Sequence, residues 1–229
     1  MARKRGEKQL ISDTEYRKKL AAQTVEELKK IYPEAICSLT YKDPLELLIA
    51  VRLSAQCTDA RVNMVTPVLF EKYPTLEAFC QASAEDIGEI IKPCGLFNTK
   101  ARDIKNLALM IRDEYGGRVP DSMELLLRLP GVGRKTANLI LGDVYGKPAI
   151  VADTHCIRIS GRIGLTDGTK DPVKVEKQLR ECVEPCEGSD LCHRFVLFGR
   201  DICTARSPEC AVCPLNIFCE NAKNEQKQQ

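Results

Sequence analysis

Leu129-Pro130-Gly131-Val132-Gly133-Arg134-Lys135-Thr136-Ala137 decides the reading of this chain. It joins two segments with helical patterning, Met123–Leu129 and Arg134–Tyr145. Each residue has a physical reason to be there. Pro130 ends the first helix, because it lacks an N–H and crowds the preceding turn. Gly131 and Gly133 permit backbone angles that a side chain forbids, and they let the backbone approach a ligand closely. Val132 can plug the turn into the core. Ala137 keeps the second helix slim where it packs on the first. The amides of the turn, and those of the second helix's opening turn, then point outward without partners, which makes a site for an anion such as phosphate. A P-loop is excluded, because no Gly-x4-Gly-Lys-Ser/Thr string occurs.

The string has the pattern of a helix-hairpin-helix, a DNA-binding motif. Gly131, Gly133 and Arg134 are therefore candidate DNA contacts. Lys135 is ambiguous taken alone. A lysine just past such a hairpin serves most often as a phosphate contact. As a nucleophile it needs an amine that is unprotonated part of the time. The positive helix N-terminus lowers its pKa, and desolvation against DNA acts in the same direction. A nearby carboxylate opposes both. Such a carboxylate stands 18 residues further on, Asp153 in Ala152-Asp153-Thr154-His155. Asp153 also reads as the N-cap of the helix that follows, and cap and catalyst are compatible roles.

Outward from the hairpin the pattern stays helical. Thr24-Val25-Glu26-Glu27 reads as a capping box. Asp43-Pro44-Leu45-Glu46 opens a helix that is apolar nearly all round to about Ser54, so that helix is central. Ser83-Ala84-Glu85-Asp86 starts another, and Asn98 to about Tyr115 is amphipathic and stopped by Gly116-Gly117. Asp171-Pro172 caps one more, to about Val183. Ala149-Ile150-Val151-Ala152 reads either as a short strand or as a buried connector. The fold class is all-α, and the tail from Glu220 to Gln229 is expected to be disordered.

Composition narrows the setting. The 229 residues are 44% hydrophobic and 29% charged, ordinary for a soluble globular protein. No apolar run approaches the ~20 residues of a membrane span, and no h-region follows the basic start, so a cytoplasmic location is expected. Arg3-Lys4-Arg5 reads as a frayed, solvated tail, with phosphate contact as the alternative. Net charge is only +2, so any DNA surface must be a local patch. Of the twelve cysteines, eight show no tight spacing and read as small buried hydrophobes. The other four form Cys203-x6-Cys210-x2-Cys213-x5-Cys219, close enough for one metal centre. Spacing alone leaves zinc and iron both open.

The hairpin, Val151-Ala152-Asp153-Thr154-His155 at its distance, and the terminal cysteines together resemble the endonuclease III family, over about Val25 to Cys219. The resemblance implies two helical domains with a cleft between them. A helical barrel over 37–147 would contain the hairpin, and 1–36 would join 148–229 in a domain ending in a [4Fe-4S] cluster on Cys203, Cys210, Cys213 and Cys219. It implies a base-excision repair enzyme that removes oxidised pyrimidines from double-stranded DNA and nicks abasic sites, with Lys135 attacking C1′ and Asp153 as acidic partner. Leu53-Ser54-Ala55-Gln56-Cys57-Thr58-Asp59 resembles the segment whose glutamine enters the space left by a flipped base, here Gln56. Cys94-Gly95-Leu96-Phe97-Asn98-Thr99-Lys100 resembles the segment with an apolar wedge, here Leu96. His155 is assigned to the cleft because it follows Asp153. The family's cluster loop is basic. Here it holds Arg206 as its one basic residue, beside the acidic Glu209, which weakens the expected contact. A monomer acting at the nucleoid completes the expectation.

Overall fold

The computed structural model describes residues 2–222, with side chains from residue 13 onward. Every regular element among them is helical. In chain order these are α1 (Ala2–Ile31), α2 (Pro44–Ser54), α3 (Asp59–Lys72), α4 (Leu76–Gln81), α5 (Ala84–Ile91), α6 (Phe97–Glu114), α7 (Met123–Leu126), α8 (Arg134–Asp143), α9 (Thr154–Ile163), α10 (Pro172–Cys182) and α11 (Gly188–Asp201). Short 3-10 turns cover Lys92–Cys94 and Pro185–Glu187. The chain divides into two compact units, one of Cys37–Gly146 and one of Met1–Ile36 with Lys147–Gln229.

In the Cys37–Gly146 unit, α2 is the axis. Asp43 caps it by accepting from the Glu46 amide at 2.9 Å, while Glu46 accepts from the Lys42 amide at 2.7 Å. Leu47, Leu48, Ile49, Ala50 and Leu53 are all sealed from solvent, because α3, α6 and α8 pack around them. A helix buried on most sides has no reason to alternate with polar residues, and its sequence does not. Ser83 caps α5 through the Asp86 amide at 3.0 Å. Gly116 and Gly117, at φ of 60° and 78°, end α6 by turning the chain left-handed.

The other unit is built on α1. Leu20, Ala21, Val25 and Leu28 form its buried stripe, against α10 and α11. Three readings of this part are corrected, and one open alternative is decided. Thr24 is not a cap: it lies inside α1, fully buried, with its hydroxyl donating to the Leu20 carbonyl at 2.8 Å. The helix simply continues upstream through that point, and the backbone of Arg3-Lys4-Arg5 belongs to it rather than to a frayed tail. Glu220–Ala222 are helical, with Ala222 buried, so the tail's first residues are ordered; the rest of the expected disordered tail lies outside the described residues. Ala149–Val151 is a buried irregular connector, not a strand, and the Val151 amide donates to Cys192 Sγ at 3.2 Å.

Candidate active site and cluster pocket

The hairpin is held from below. After α7 the chain makes i→i+3 turns, Arg128 to Leu125 and Leu129 to Leu126, which tighten the helix end expected to run on regularly to Leu129. Leu129 and Val132 are buried, and the Val132 amide closes on the Leu129 carbonyl at 3.1 Å. Gly131 has a φ of 73°, and a Cβ there would lie 2.5 Å from Arg52 Nε and 2.8 Å from Asp103 Oδ2. Those two side chains form an ion pair at 2.6 Å that braces the turn from α2 and α6. Gly131 is thus required on both counts, conformation and space. Gly133 is different. Its φ of −98° and ψ of 176° suit any residue, and a Cβ would meet open space. The expectation that Gly133 serves a forbidden backbone angle is corrected. What glycine preserves there is room on the outer face.

Helix α8 starts at this outer face with no side-chain cap, and its first internal amide bond runs from Ala137 to the Gly133 carbonyl at 2.9 Å. The Lys135 and Thr136 amides precede that bond and are orphan donors of a helix start. Arg134 and Lys135 are exposed, whereas Ala137 is fully buried as expected. The same unit carries Gln56 and Leu96. Among the described residues these are the two non-glycines with positive φ, at 55° and 49°. A left-handed backbone costs a side-chain-bearing residue roughly 1–2 kcal/mol, and such strain collects at functional sites. Leu96 is also 55% exposed, the opposite of the core role its type suggests.

In the other unit, Asp153 caps α9, its Oδ1 accepting from the Cys156 amide at 2.7 Å. Its own amide donates to the Val151 carbonyl at 2.8 Å, which fixes the approach to the helix. His155 is half-buried, and its Nδ1 lies 3.2 Å from Arg158 Nη2. Gly199 of α11 admits this packing, because a Cβ there would strike both His155 Nδ1 and Arg158.

One face of α9 grips the cysteine loop. Arg158 donates to the carbonyls of Gly199 and Cys203 at 3.1 and 3.0 Å. Arg162 donates to those of Thr204 and Ala205 at 2.6 and 2.9 Å, and to Cys203 Sγ at 3.4 Å. Sequence reasoning passed over both arginines; their signal was basic residues one helical turn apart between Asp153 and the cysteines. The loop they hold carries Arg206 exposed to solvent, beside an exposed Glu209.

Cys203, Cys210, Cys213 and Cys219 line one pocket, with Ile163, Phe198 and Leu215 among its apolar walls. Among the described residues no three His, Cys, Asp or Glu side chains converge as the ligands of a single ion do. Four thiols around one pocket suit a thiolate-bound metal centre, and zinc and an iron–sulfur cluster both use such a set. Burial, with Cys219, Cys203 and Cys210 adding to it, pushes Cys213 up to about 11.

A family model described as the HhH-GPD superfamily base excision DNA repair protein matches residues 49–185, and one described as the iron-sulfur binding domain of endonuclease III matches residues 203–219. The chain is 42% identical to endonuclease III of Bacillus subtilis over 203 residues, covering 89% of this chain and 93% of that one. Among solved structures it resembles a trapped endonuclease III–DNA covalent intermediate, with TM-score 0.84 and 43% identity, over 91% of this chain and 98% of that chain. It also resembles a non-covalent endonuclease III–DNA complex, with TM-score 0.85 and 43% identity, over 92% and 98% of the two chains.

Proposed function

Since the chain belongs to the endonuclease III family, within the helix-hairpin-helix superfamily of base-excision repair proteins, we propose that Lys135 is its nucleophile and Asp153 the carboxylate that assists it. The protein is a DNA glycosylase and abasic-site lyase, and it carries an iron–sulfur cluster. The observation behind the assignment of Lys135 is its place: an exposed amine in the uncapped first turn of α8, directly after a turn open to a DNA backbone.

The chemistry follows from the two side chains. As the base leaves C1′, positive charge grows on the sugar, and the Asp153 carboxylate stabilises it. The Lys135 amine forms a bond to C1′ as the glycosidic bond breaks, and its proton passes to Asp153. Opening of the sugar ring leaves an imine between Lys135 and C1′. The imine acidifies the C2′ hydrogen; its loss expels the 3′ phosphate by β-elimination, and water then releases the lysine. Gly131, Gly133 and Arg134 receive the phosphate backbone, while Gln56 and Leu96 fill the space vacated by the flipped nucleotide. His155, beside Arg158, and Arg206, on the loop gripped by Arg162, add outer contacts. The four cysteines would hold the cluster, which supplies cross-links that fix a segment with little core of its own.

Oxidised pyrimidines in duplex DNA are the substrates in this reading, and the enzyme works as a monomer at the nucleoid. The 37–147 segment acts as the hairpin domain, and the remainder as the cluster domain. No helix among the described residues is long and apolar enough to cross a membrane. Borohydride trapping on a duplex with thymine glycol tests the lysine. The intact protein should give a covalent adduct and Lys135→Gln none. An adduct of equal yield with Lys135→Gln would remove Lys135 as nucleophile.

A further inference from the structure

Lys100 is 0% exposed, in the first turns of α6. A buried ammonium is tolerated only where its donors are used. Here Nζ donates to the Leu53 carbonyl at 2.7 Å and to the Cys94 carbonyl at 2.9 Å. The first carbonyl belongs to the last turn of α2, the second to the end of the 3-10 turn Lys92–Cys94. Two residues past Cys94 stands Leu96, and three past Leu53 stands Gln56. These are the two non-glycine residues in left-handed backbone noted above. Gln56 takes it as the third residue of a turn closed by the Cys57 amide on the Ser54 carbonyl at 3.0 Å, with Ala55 before it at φ −58° and ψ 113°. Leu96 opens α6 without a side-chain cap and projects into solvent. One cation therefore ties down both strained tips from the side opposite solvent.

We propose that Lys100 is a positioning residue for base opening: by holding the Leu53 and Cys94 carbonyls together, it fixes Gln56 and Leu96 as one pre-formed two-pronged wedge. Pre-setting both prongs removes the ordering cost from the moment of DNA binding. It also keeps their separation constant, which matters because misplacement by about 1 Å can cost on the order of 100-fold in rate. Burial pulls the Lys100 pKa down, but the two carbonyls remain good acceptors for either protonation state. The proposal rests on the reading that Gln56 and Leu96 enter the duplex.

The test uses the full chain with its cluster. Lys100→Met keeps length and removes the donors, and Lys100→Gln keeps an N–H donor group on a shorter arm. Each is compared with Gln56→Ala and Leu96→Ala in three measurements. These are single-turnover excision from a thymine glycol duplex, fluorescence of 2-aminopurine beside the lesion as a report of unstacking, and nicking of an abasic site in single-stranded DNA, which needs no wedge. Lys100→Met should lower excision and the fluorescence rise by about 10-fold or more while single-strand nicking stays within about twofold. Lys100→Gln should fall between Lys100→Met and the intact protein. If Gln56→Ala and Leu96→Ala lose unstacking and Lys100→Met does not, the positioning role is wrong and the wedge reading stands. If neither wedge variant affects unstacking, the wedge reading fails and takes this proposal with it. An equal loss on both substrates, or failure of both Lys100 variants to fold, assigns Lys100 to general stability and overturns the proposal.

Discussion

At the scale of single residues, the two glycines of the hairpin separate fold from function. Gly131 is confined by its φ of 73° and by the Arg52–Asp103 pair beneath it. Gly131→Ala should lower stability by roughly 1–2 kcal/mol, the cost of a left-handed alanine, before any clash is added. Gly133 has ordinary angles and open space. Gly133→Ala should melt within a few degrees of the parent while binding duplex DNA more weakly; paired calorimetry and binding titrations check this, and a matched loss in both would refute the distinction. Asp153 admits a similar separation, because its Oδ1 caps α9 and its charge is assigned to catalysis. Asp153→Asn keeps an acceptor for the Cys156 amide and should leave stability nearly unchanged, whereas Asp153→Ala should cost about 1 kcal/mol. Excision should fall in both, and unimpaired single-turnover excision by Asp153→Asn would remove the charge from the mechanism. The helix starts beside Lys135 and Asp153, and the capping role of Asp153, were legible in the sequence, since helix starts are local. The strain at Gln56 and Leu96 was not, because both residue types ordinarily sit comfortably in right-handed backbone.

At the scale of elements, α9 connects the acidic residue to the cysteine loop. Asp153 opens the helix, and Arg158 and Arg162 leave its side to hold five loop or helix acceptors near Cys203. A guanidinium offers several donors in a fixed plane, which suits such clustered carbonyls in a way lysine does not. Arg162→Lys should therefore loosen the Cys203–Cys210 loop. The expected result is faster loss of the cluster's visible absorbance to an iron chelator, with the helical circular dichroism of the protein retained at first. An unchanged rate of iron loss would mean that the cysteines alone set the loop. The spacing of the cysteines announced a metal centre from the sequence. The arginine clamp did not announce itself, because its partners are backbone carbonyls more than 40 positions away.

At the scale of the whole molecule, charge and thiols set the response to solution conditions. Net charge is only +2, so DNA affinity must come from local phosphate contacts, and it should still fall linearly as log salt rises, with a slope of about −0.9 per phosphate neutralised. A salt-independent affinity would contradict the assigned phosphate contacts. Burial pushes Cys37, Cys94 and Cys182 up to about 11, from an ordinary 9.0. Below about pH 9 both folded and unfolded chains keep these protons. Between about 9 and 11 the unfolded chain sheds protons that the fold retains, so stability should drop as pH rises through that window. Melting temperatures from pH 7 upward check the sign, and Cys182→Ala should shallow the descent; a rise of stability with pH there would refute it. The sequence by itself determined an all-helical chain, most helix starts, the hairpin and the cysteine set, because periodicity, caps and turn residues act over a few positions. Only the tertiary structure decided that Arg52 and Asp103 brace Gly131, that Lys100 joins the roots of Gln56 and Leu96, and that four cysteines share one pocket. Those partners are distant in the chain, and a buried cation or thiol reveals its acceptor only when packing brings the two together.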